Sequence, residues 1–271
     1  MTGRIVTLTT DFGLSDGFVG TMKGVALGIC PGLIIVDITH DVPPQDVRTG
    51  GLLLRAAHPY FPEGTVHVAV VDPGVGSRRR AILVQGVRYL FLGPDNGILT
   101  FAVEGEGAKV RELCNPAWLL PERSATFHGR DVFAPAAAHL AAGADPADAG
   151  PEVFDAVRLP LPAPRIEAEA GGGVRVHGVV IHVDRFGNLM TNIDRASWDR
   201  ALSVAGKEGA RVYLGGREIG ELVRYYYESP EGRPAALFNS WGFVEVFISS
   251  GSAARTLRAG VDAPVVVELG G

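Results

Sequence analysis

Two hydrophobic periods alternate along the first half of the chain. "RIVTLT" (4–9) reads as a strand, and "FVGTMKGVALGI" (18–29) carries helical spacing until Pro31 and Gly32 stop it. "LIIVDI" (33–38) is a continuous, β-branched run, the pattern of a strand covered on both faces. "DVRTGGLLLRAA" (46–57) keeps helical spacing despite its glycines, and "TVHVAVVD" (65–72) returns to a strand. Strands and helices in alternation predict a parallel sheet with helices on its faces.

Past the turn signal "PDNG" in "YLFLGPDNGIL", the stretch "SATFHGRDVFAPAAAHLAAG" (124–143) ends in a helix that Gly143 terminates. His128 falls on the loop before it, where the backbone N–H groups of Gly129 and Arg130 would favour an anion or a developing negative charge. Composition then shifts. "LPLPAPRIEAEAGGG" (159–173) has the prolines, alternating charge and glycines of an interdomain linker. Beyond it, "VRVHGVVIHVD", "ARVYLG", "GFVEVFIS" and "APVVVEL" read as short strands with little helix between them, which predicts a small β-barrel or sandwich.

A length of 271 residues fits one large or two modest domains with ample core. Net charge is -5 and no basic block exceeds "RRR", so a nucleic-acid or anionic-membrane partner is not expected. The start, "MTGRIVTLTTDFG", goes straight into a strand pattern without a charged leader and apolar segment, and no apolar run reaches membrane-spanning length; the expected location is cytoplasmic. Cys30 and Cys114 are far apart and in no metal-like spacing, so both are expected reduced and structural. No HExxH, paired CxxC or EF-hand spacing organises the seven histidines, so no metal is expected; local hydrogen bonds are their simplest use, and His67 inside "VHVAV" is the clearest core candidate.

Charge at strand ends carries the candidate chemistry. Ligands of parallel sheets sit beyond the carboxyl ends of the strands. Asp11, Asp37 and Asp72 all fall there, which points to a shared polar site, although Asp-Pro-Gly is also a turn signal in its own right. Asp72, in "VVDPGVGSRRRA" (70–81), precedes Arg79 by seven residues, and with His128 these side chains sit in turns where backbone geometry is specified. An Asp held by Arg stays ionised while a His at a helix start positions a water or shares its proton; equally, the pair could staple two loops with His128 as a cap. "DFG" (11–13) and "HGRD" (128–131) echo kinase signatures, but no glycine-rich loop precedes a lysine strand. "GVG" (74–76) lacks the third glycine of a dinucleotide fingerprint.

"TLTTDFGLSDGFVGTMKG", "DITHDVPPQDV", "VVDPGVGSRR", "GPDNGIL", "TFHGRDVFAPAAAHL", "HVDRFGNLMTNI" and "NSWGFVEV" resemble, in order, the motifs of the S-adenosylmethionine (SAM) hydroxide adenosyltransferases, which hydrolyse SAM to adenosine and methionine. The resemblance runs from residue 7 to about 254. It implies an N-terminal Rossmann-like α/β domain (1–160) and a smaller C-terminal β-barrel domain (174–271) joined by a linker (161–173). It further implies a catalytic Asp72, Arg79 and His128, with SAM as substrate and no cofactor. Asp11 would take the ribose hydroxyls and Asp16 the methionine ammonium, with Phe127 near the sugar and Gly129 beside it. Asp184, Phe186 and Asn188 would contact the amino acid and adenine, and Ser240, Trp241 and Glu245 would line the far side; for Phe186, ordinary barrel core is the competing reading.

The related fluorinase and chlorinase carry tyrosine and threonine where this chain has Asp72 and Val75, and tyrosine and serine where it has His128 and Gly129; their pocket tryptophan corresponds to Gln45. These departures favour the hydrolase branch. Two alternatives stay open: a SAM-dependent halogenase, and a protein that binds SAM or adenosine without turnover. Members of the family are trimers with sites between subunits, so a homotrimer is implied as well.

Overall fold

In a computed structural model describing residues 4–169, 173–205 and 209–270, the chain divides into two units, 1–160 and 161–271. The first unit contains β1 (Ile5–Thr10), α1 (Phe18–Ile29), β2 (Ile34–Thr39), α2 (Val47–Ala57), β3 (Val66–Val70), β4 (Ala81–Gln85), β5 (Leu90–Pro94), α3 (Thr100–Val103), β6 (Lys109–Glu112) and α4 (Ala134–Ala141). Its six strands run in the order β2-β1-β3-β5-β4-β6. The first four are mutually parallel, as the alternation predicts, whereas β4 and β6 are antiparallel to their neighbours. "AILVQ" could join the sheet this way because the turn after Asp72 reverses the chain without a crossover helix.

Side chains alternate across β3. Val66, Val68 and Val70 face a core shared with Val19, Met22 and Ala26 of α1 and the alanines of α4, while Ala69 joins Leu54 of α2, Ile82 and Ala102 on the other face. The glycines of α2 serve close packing: a Cβ on Gly50 would meet Val71 at 2.9 Å, and one on Gly51 would meet the carbonyl oxygen of Ile98 at 2.6 Å. Asp46 caps this helix by accepting from Thr49 N at 2.9 Å. The expectation for "LIIVDI" is corrected. β2 is an edge strand, and Ile34 is 53% exposed, because a β-branched run reports strand propensity rather than position in the sheet.

The second unit contains β7 (Arg165–Ala168), β8 (Val174–Val183), β9 (Leu189–Asp194), α5 (Arg195–Ala205), β10 (Ala210–Leu214), β11 (Arg217–Glu221), β12 (Pro234–Phe238), β13 (Phe243–Ile248), α6 (Ala253–Leu257) and β14 (Pro264–Leu269). An antiparallel path β11-β10-β14-β8-β9-β13-β12 curls until Leu222 bridges Ala236, a nearly closed barrel around Val176, Val212, Val246 and Val267. Two details differ from the sequence reading. Within the stretch read as a linker, residues 165–168 pair with β8, the alternation of "RIEA" being that of a strand; residues 170–172 lie outside the described residues. The barrel also carries a helix of 11 residues, α5, whose Ala201 and Ala205 pack on its core.

Among the described residues, no helix is long and apolar enough to cross a membrane. Both cysteines are free; Cys30 is core, but Cys114 is exposed rather than structural in the sense expected.

Candidate functional site

Just past β3, the turn "DPGVGSRR" brings Asp72 and Arg79 face to face. Arg79 Nε donates to Asp72 Oδ1 at 2.9 Å and Nη2 to Oδ2, a bidentate pair whose side chains are only 10% and 5% exposed. Gly76 makes the turn possible: its φ is +77°, and a Cβ there would collide with the carbonyl oxygen of Ala125, so the 72–79 turn nests against the 124–128 loop. That loop carries His128, whose Nδ1 lies 2.7 Å from Arg79 Nη2. The Arg79 guanidinium also lies over the Phe133 ring, 5.7 Å from its centroid. The three side chains singled out from sequence therefore form one connected group.

Electrostatics sets the state of His128. Burial and then the Arg79 charge lower its pKa, with Arg123 adding to the effect, against opposing pulls from Asp72 and Asp131. A guanidinium only donates, so Nδ1 must accept and the proton of the neutral ring sits on Nε2.

Local geometry around His128 departs from the simple helix start read from sequence. Residues Gly129–Phe133 form one wide turn in which Ala134 N donates to Gly129 O, and Arg130 N donates to Phe127 O at 3.2 Å, so it is not a free anion donor. Asp131, fully buried in this turn, accepts from Ser124 N at 2.7 Å and Arg130 Nη2 at 2.9 Å, tying the preceding loop to the turn that leads into α4. Gly129 is tightly enclosed: a Cβ would meet Met22 Sδ at 3.0 Å and the rings of Phe12 and Phe127 at 3.2 Å. Phe127 packs edge-on against Phe12 and Phe18, with centroids 5.9 and 5.2 Å apart.

Of the three strand-end carboxylates, Asp11 and Asp72 do follow β1 and β3. Asp11 Oδ2 accepts from Gln45 N at 2.8 Å, the amide being turned inward by a φ of +67° at Gln45, and Asp16 is exposed on the same loop. Asp37 is the correction: it sits within β2, opposite Leu8, and pairs with Lys23 and His40. The motif "GPDNGIL" works as a brace. Asp95 receives Arg80 Nε at 2.8 Å and Asn96 Nδ2 donates to Val71 O at 2.9 Å, locking both ends of the catalytic-candidate turn.

In the second unit, a cleft of about 680 Å³ is lined by all six residues proposed there from sequence: Asp184, Phe186, Asn188, Ser240, Trp241 and Glu245. Asp184 shapes the loop by accepting from Phe186 N (2.9 Å), Asn188 N (2.8 Å) and Asn188 Nδ2 (3.0 Å). Phe186 is 75% exposed, which removes the barrel-core reading. Glu245 is buried and accepts from Tyr226 OH (2.8 Å) and Asn239 Nδ2 (3.0 Å); burial raises its pKa, the two donors oppose the rise and Asp184 adds to it. Tyr226 and Asn239 were missed from sequence. Asn239 stands in "NSWG" and could have been found there, but nothing near "YYYE" marks which tyrosine turns inward.

Among the described residues, no three His, Cys, Asp or Glu side chains converge as a metal-binding group. Family models place this geometry. Residues 6–150 match the SAM hydroxide adenosyltransferase N-terminal domain and residues 178–266 the C-terminal domain of the same family. The chain belongs to the SAM hydroxide adenosyltransferases.

Within that family context, an (R)-S-adenosyl-L-methionine hydrolase from Salinispora arenicola is 43% identical over 93% of each chain. A fluorinase from Actinoplanes sp. is 31% identical over 89% of each. A crystal structure of an uncharacterized conserved protein from Thermotoga maritima superposes with a TM-score of 0.86 at 34% identity, covering 97% of this chain and 99% of that one. The SAM hydroxide adenosyltransferase motifs thus span both units.

Proposed function

We propose that the chain hydrolyses SAM to adenosine and methionine, with Asp72, Arg79 and His128 holding the water that attacks ribose C5′. The observation that carries this reading is the Arg79 guanidinium bridging Asp72 and His128 in one connected group. The named hydrolase relative supports the substrate, and its name specifies the (R) sulfonium form.

In the reaction, water oxygen bonds to C5′ as the C5′–S bond breaks, the electron pair goes to sulfur, and one proton is released. The substrate is a cation and the leaving group a neutral thioether, so hydroxide-like attack cancels charge and gains from a dry site. No metal or other cofactor is needed to make the sulfonium leave. His128 Nδ1 is occupied by Arg79, which argues against that nitrogen as the proton acceptor while the contact lasts. Asp72 keeps unused acceptor capacity, and Arg79 supplies positive charge to a developing hydroxide; the pair polarises the water while His128 Nε2–H is left to donate.

Around that centre, Asp11 is proposed to take the ribose hydroxyls through Oδ1, its other oxygen being held by Gln45. Asp16 would take the methionine ammonium, with Phe127 and Gly129 against the sugar. In the cleft of the second unit, Asp184, Phe186, Asn188, Ser240, Trp241 and Glu245 would contact adenine and the amino acid. Glu245 does so through a network shared with Tyr226. A cytoplasmic homotrimer with sites between subunits completes the reading; a sedimenting monomer that is fully active would contradict the trimer.

The deciding experiment incubates the purified protein with each sulfonium epimer of SAM in 18O-water. Labelled 5′-hydroxyl in adenosine, together with methionine, supports attack by water at C5′. Bound SAM that stays intact would move the chain to the non-catalytic reading.

A further inference from the structure

Asp37 was singled out by its strand, yet the candidate site leaves it unused. Its partners lead elsewhere. His40, 4% exposed, places Nε2 3.1 Å from Asp37 Oδ1 and Nδ1 2.8 Å from Thr10 Oγ1, while Lys23 Nζ sits 2.6 Å from Asp37 Oδ2. Thr10 Oγ1 in turn accepts from Phe12 N at 3.2 Å. An Asp–His–Thr connectivity is that of a nucleophilic triad, but Thr10 is fully buried, so its hydroxyl is not available to a substrate.

Asp37 faces His40 Nε2 as an ion-pair partner at 3.1 Å rather than through an aligned hydrogen bond; with the ring proton on that nitrogen, Nδ1 is the acceptor, Thr10 O–H donates to it, and Thr10 Oγ1 still accepts from Phe12 N. Burial opposes charge on Asp37, and Lys23 and His40 outweigh it, holding the carboxyl below its usual range. His40 grips the same loop with its main chain as well: its carbonyl accepts from Gly13 N at 2.8 Å, where φ is +65°. Two residues on, Val42 N donates to Thr10 O at 3.3 Å. The neighbouring Gln45 N then reaches Asp11 Oδ2.

We propose that His40, anchored by Asp37, is a positioning residue that presets the Thr10–Gly13 loop so that Asp11 meets the substrate ribose. The proposal rests on the assignment of Asp11 to SAM binding. His40 touches no reacting atom; it acts by removing the freedom of a loop that must otherwise be ordered on binding.

Three measurements test it: steady-state kinetics with SAM, adenosine affinity by calorimetry, and backbone hydrogen exchange of the 10–16 segment. The last needs no substrate. His40→Ala should raise KM and the adenosine Kd about tenfold, which corresponds to about 1.4 kcal/mol, with kcat changed by less than about threefold and faster exchange at Phe12 and Gly13. His40→Asn, whose amide oxygen can replace Nδ1 toward Thr10, should recover most of the affinity. Should His40→Ala fail to fold, Asp37→Asn takes its place, with a smaller rise in KM. A folded His40→Ala or Asp37→Asn with wild-type KM and wild-type exchange overturns the proposal. If the wild type turns over no SAM, the functional reading fails separately, and exchange at Phe12 and Gly13 still decides whether His40 orders the loop.

Discussion

Arg79 Nη2 and His128 Nδ1 are 2.7 Å apart, and because a guanidinium has no lone pair to offer, that contact requires an unprotonated Nδ1. One distance therefore specifies the tautomer of the histidine. It also links His128 to Asp72 through a shared cation, so displacing any one of the three side chains disturbs the contacts of the other two.

The coupling predicts how substitutions behave. Removing one member of a buried ion pair leaves the other uncompensated at about 3–5 kcal/mol, so Asp72→Ala would mix stability with catalysis. Asp72→Asn and Arg79→Lys are the cleaner variants. Lysine cannot reproduce the two-pronged contact with Asp72 while also reaching His128, and kcat should fall by about 10²-fold or more, the loss typical of one electrostatic donor. His128→Ala should also lower kcat while SAM binding survives. Single-turnover rates and SAM affinity by calorimetry check this; wild-type rates in Asp72→Asn and His128→Ala together would sink the catalytic group.

A pH profile follows from the same contact. His128 has its pKa lowered from 6.5, by burial first and by Arg79 next. Activity should therefore hold through neutral pH and fall only as pH drops below 6.5 through that lowered value, when Nδ1 gains a proton and the two cations repel. Arg123 contributes to the lowering, so Arg123→Gln should move the acid limb to higher pH without altering the plateau. An acid limb that stays in place, or moves lower, contradicts the assignment of the limb to His128.

Much of this was legible before the structure. Asp72, Arg79 and His128 announce themselves because each sits where a turn residue, not burial, dictates the chain's course. The cleft residues of the second unit were legible only through the family resemblance of "DRFGN" and "NSWGFVE", since neither periodicity nor turn chemistry marks them as a site. Asp37 misled because its strand continues two residues past it, and nothing in "LIIVDITH" marks where pairing with β1 stops. Edge position misled for the same stretch. Antiparallel β4 went unread behind "SRRR": Arg79 could be matched to Asp72 seven residues before it, but nothing local shows that Arg80 is committed to the buried Asp95 or that a strand begins beside it. Long-range partners of this kind leave no periodic signature.

Enclosure of Gly129 gives a third prediction. A side chain at this position would press on Met22, Phe12 and Phe127 at 3.0–3.2 Å, in a region where neighbouring atoms are already close-packed. Gly129→Ser, which introduces the residue type of the halogenases, should cost about 1–3 kcal/mol and shift His128, its neighbour in the chain. The melting temperature should drop by roughly 3 °C or more, with a disproportionate loss of kcat. A serine variant as stable and as active as the wild type would show that the aromatic trio yields easily.

His67 predicts the acid stability of the first unit. Its ring is fully buried, stacked on Phe91 at 5.2 Å, with Nδ1 bonded to Thr7 Oγ1 at 2.8 Å and Nε2 without a partner. Burial pushes its pKa down to about 3 from the ordinary 6.5. The folded state therefore refuses a proton that the unfolded chain binds below pH 6.5, so unfolding takes up a proton between those limits. Stability from this group is fully present above pH 6.5 and declines as pH falls toward 3, with a limiting slope of about 1.4 kcal/mol per pH unit. Replacing both partners by apolar groups, His67→Phe with Thr7→Val, removes the titration without stranding a polar atom. His58, whose pKa burial also lowers, stays in both proteins as common background. Urea midpoints measured at pH 7.5, 5.5 and 4.5 should converge as pH falls if the double variant starts less stable, because only the wild type loses the His67 contribution. Parallel curves across that range would mean that His67 is protonated in the folded protein, or that its burial is relieved before the chain unfolds.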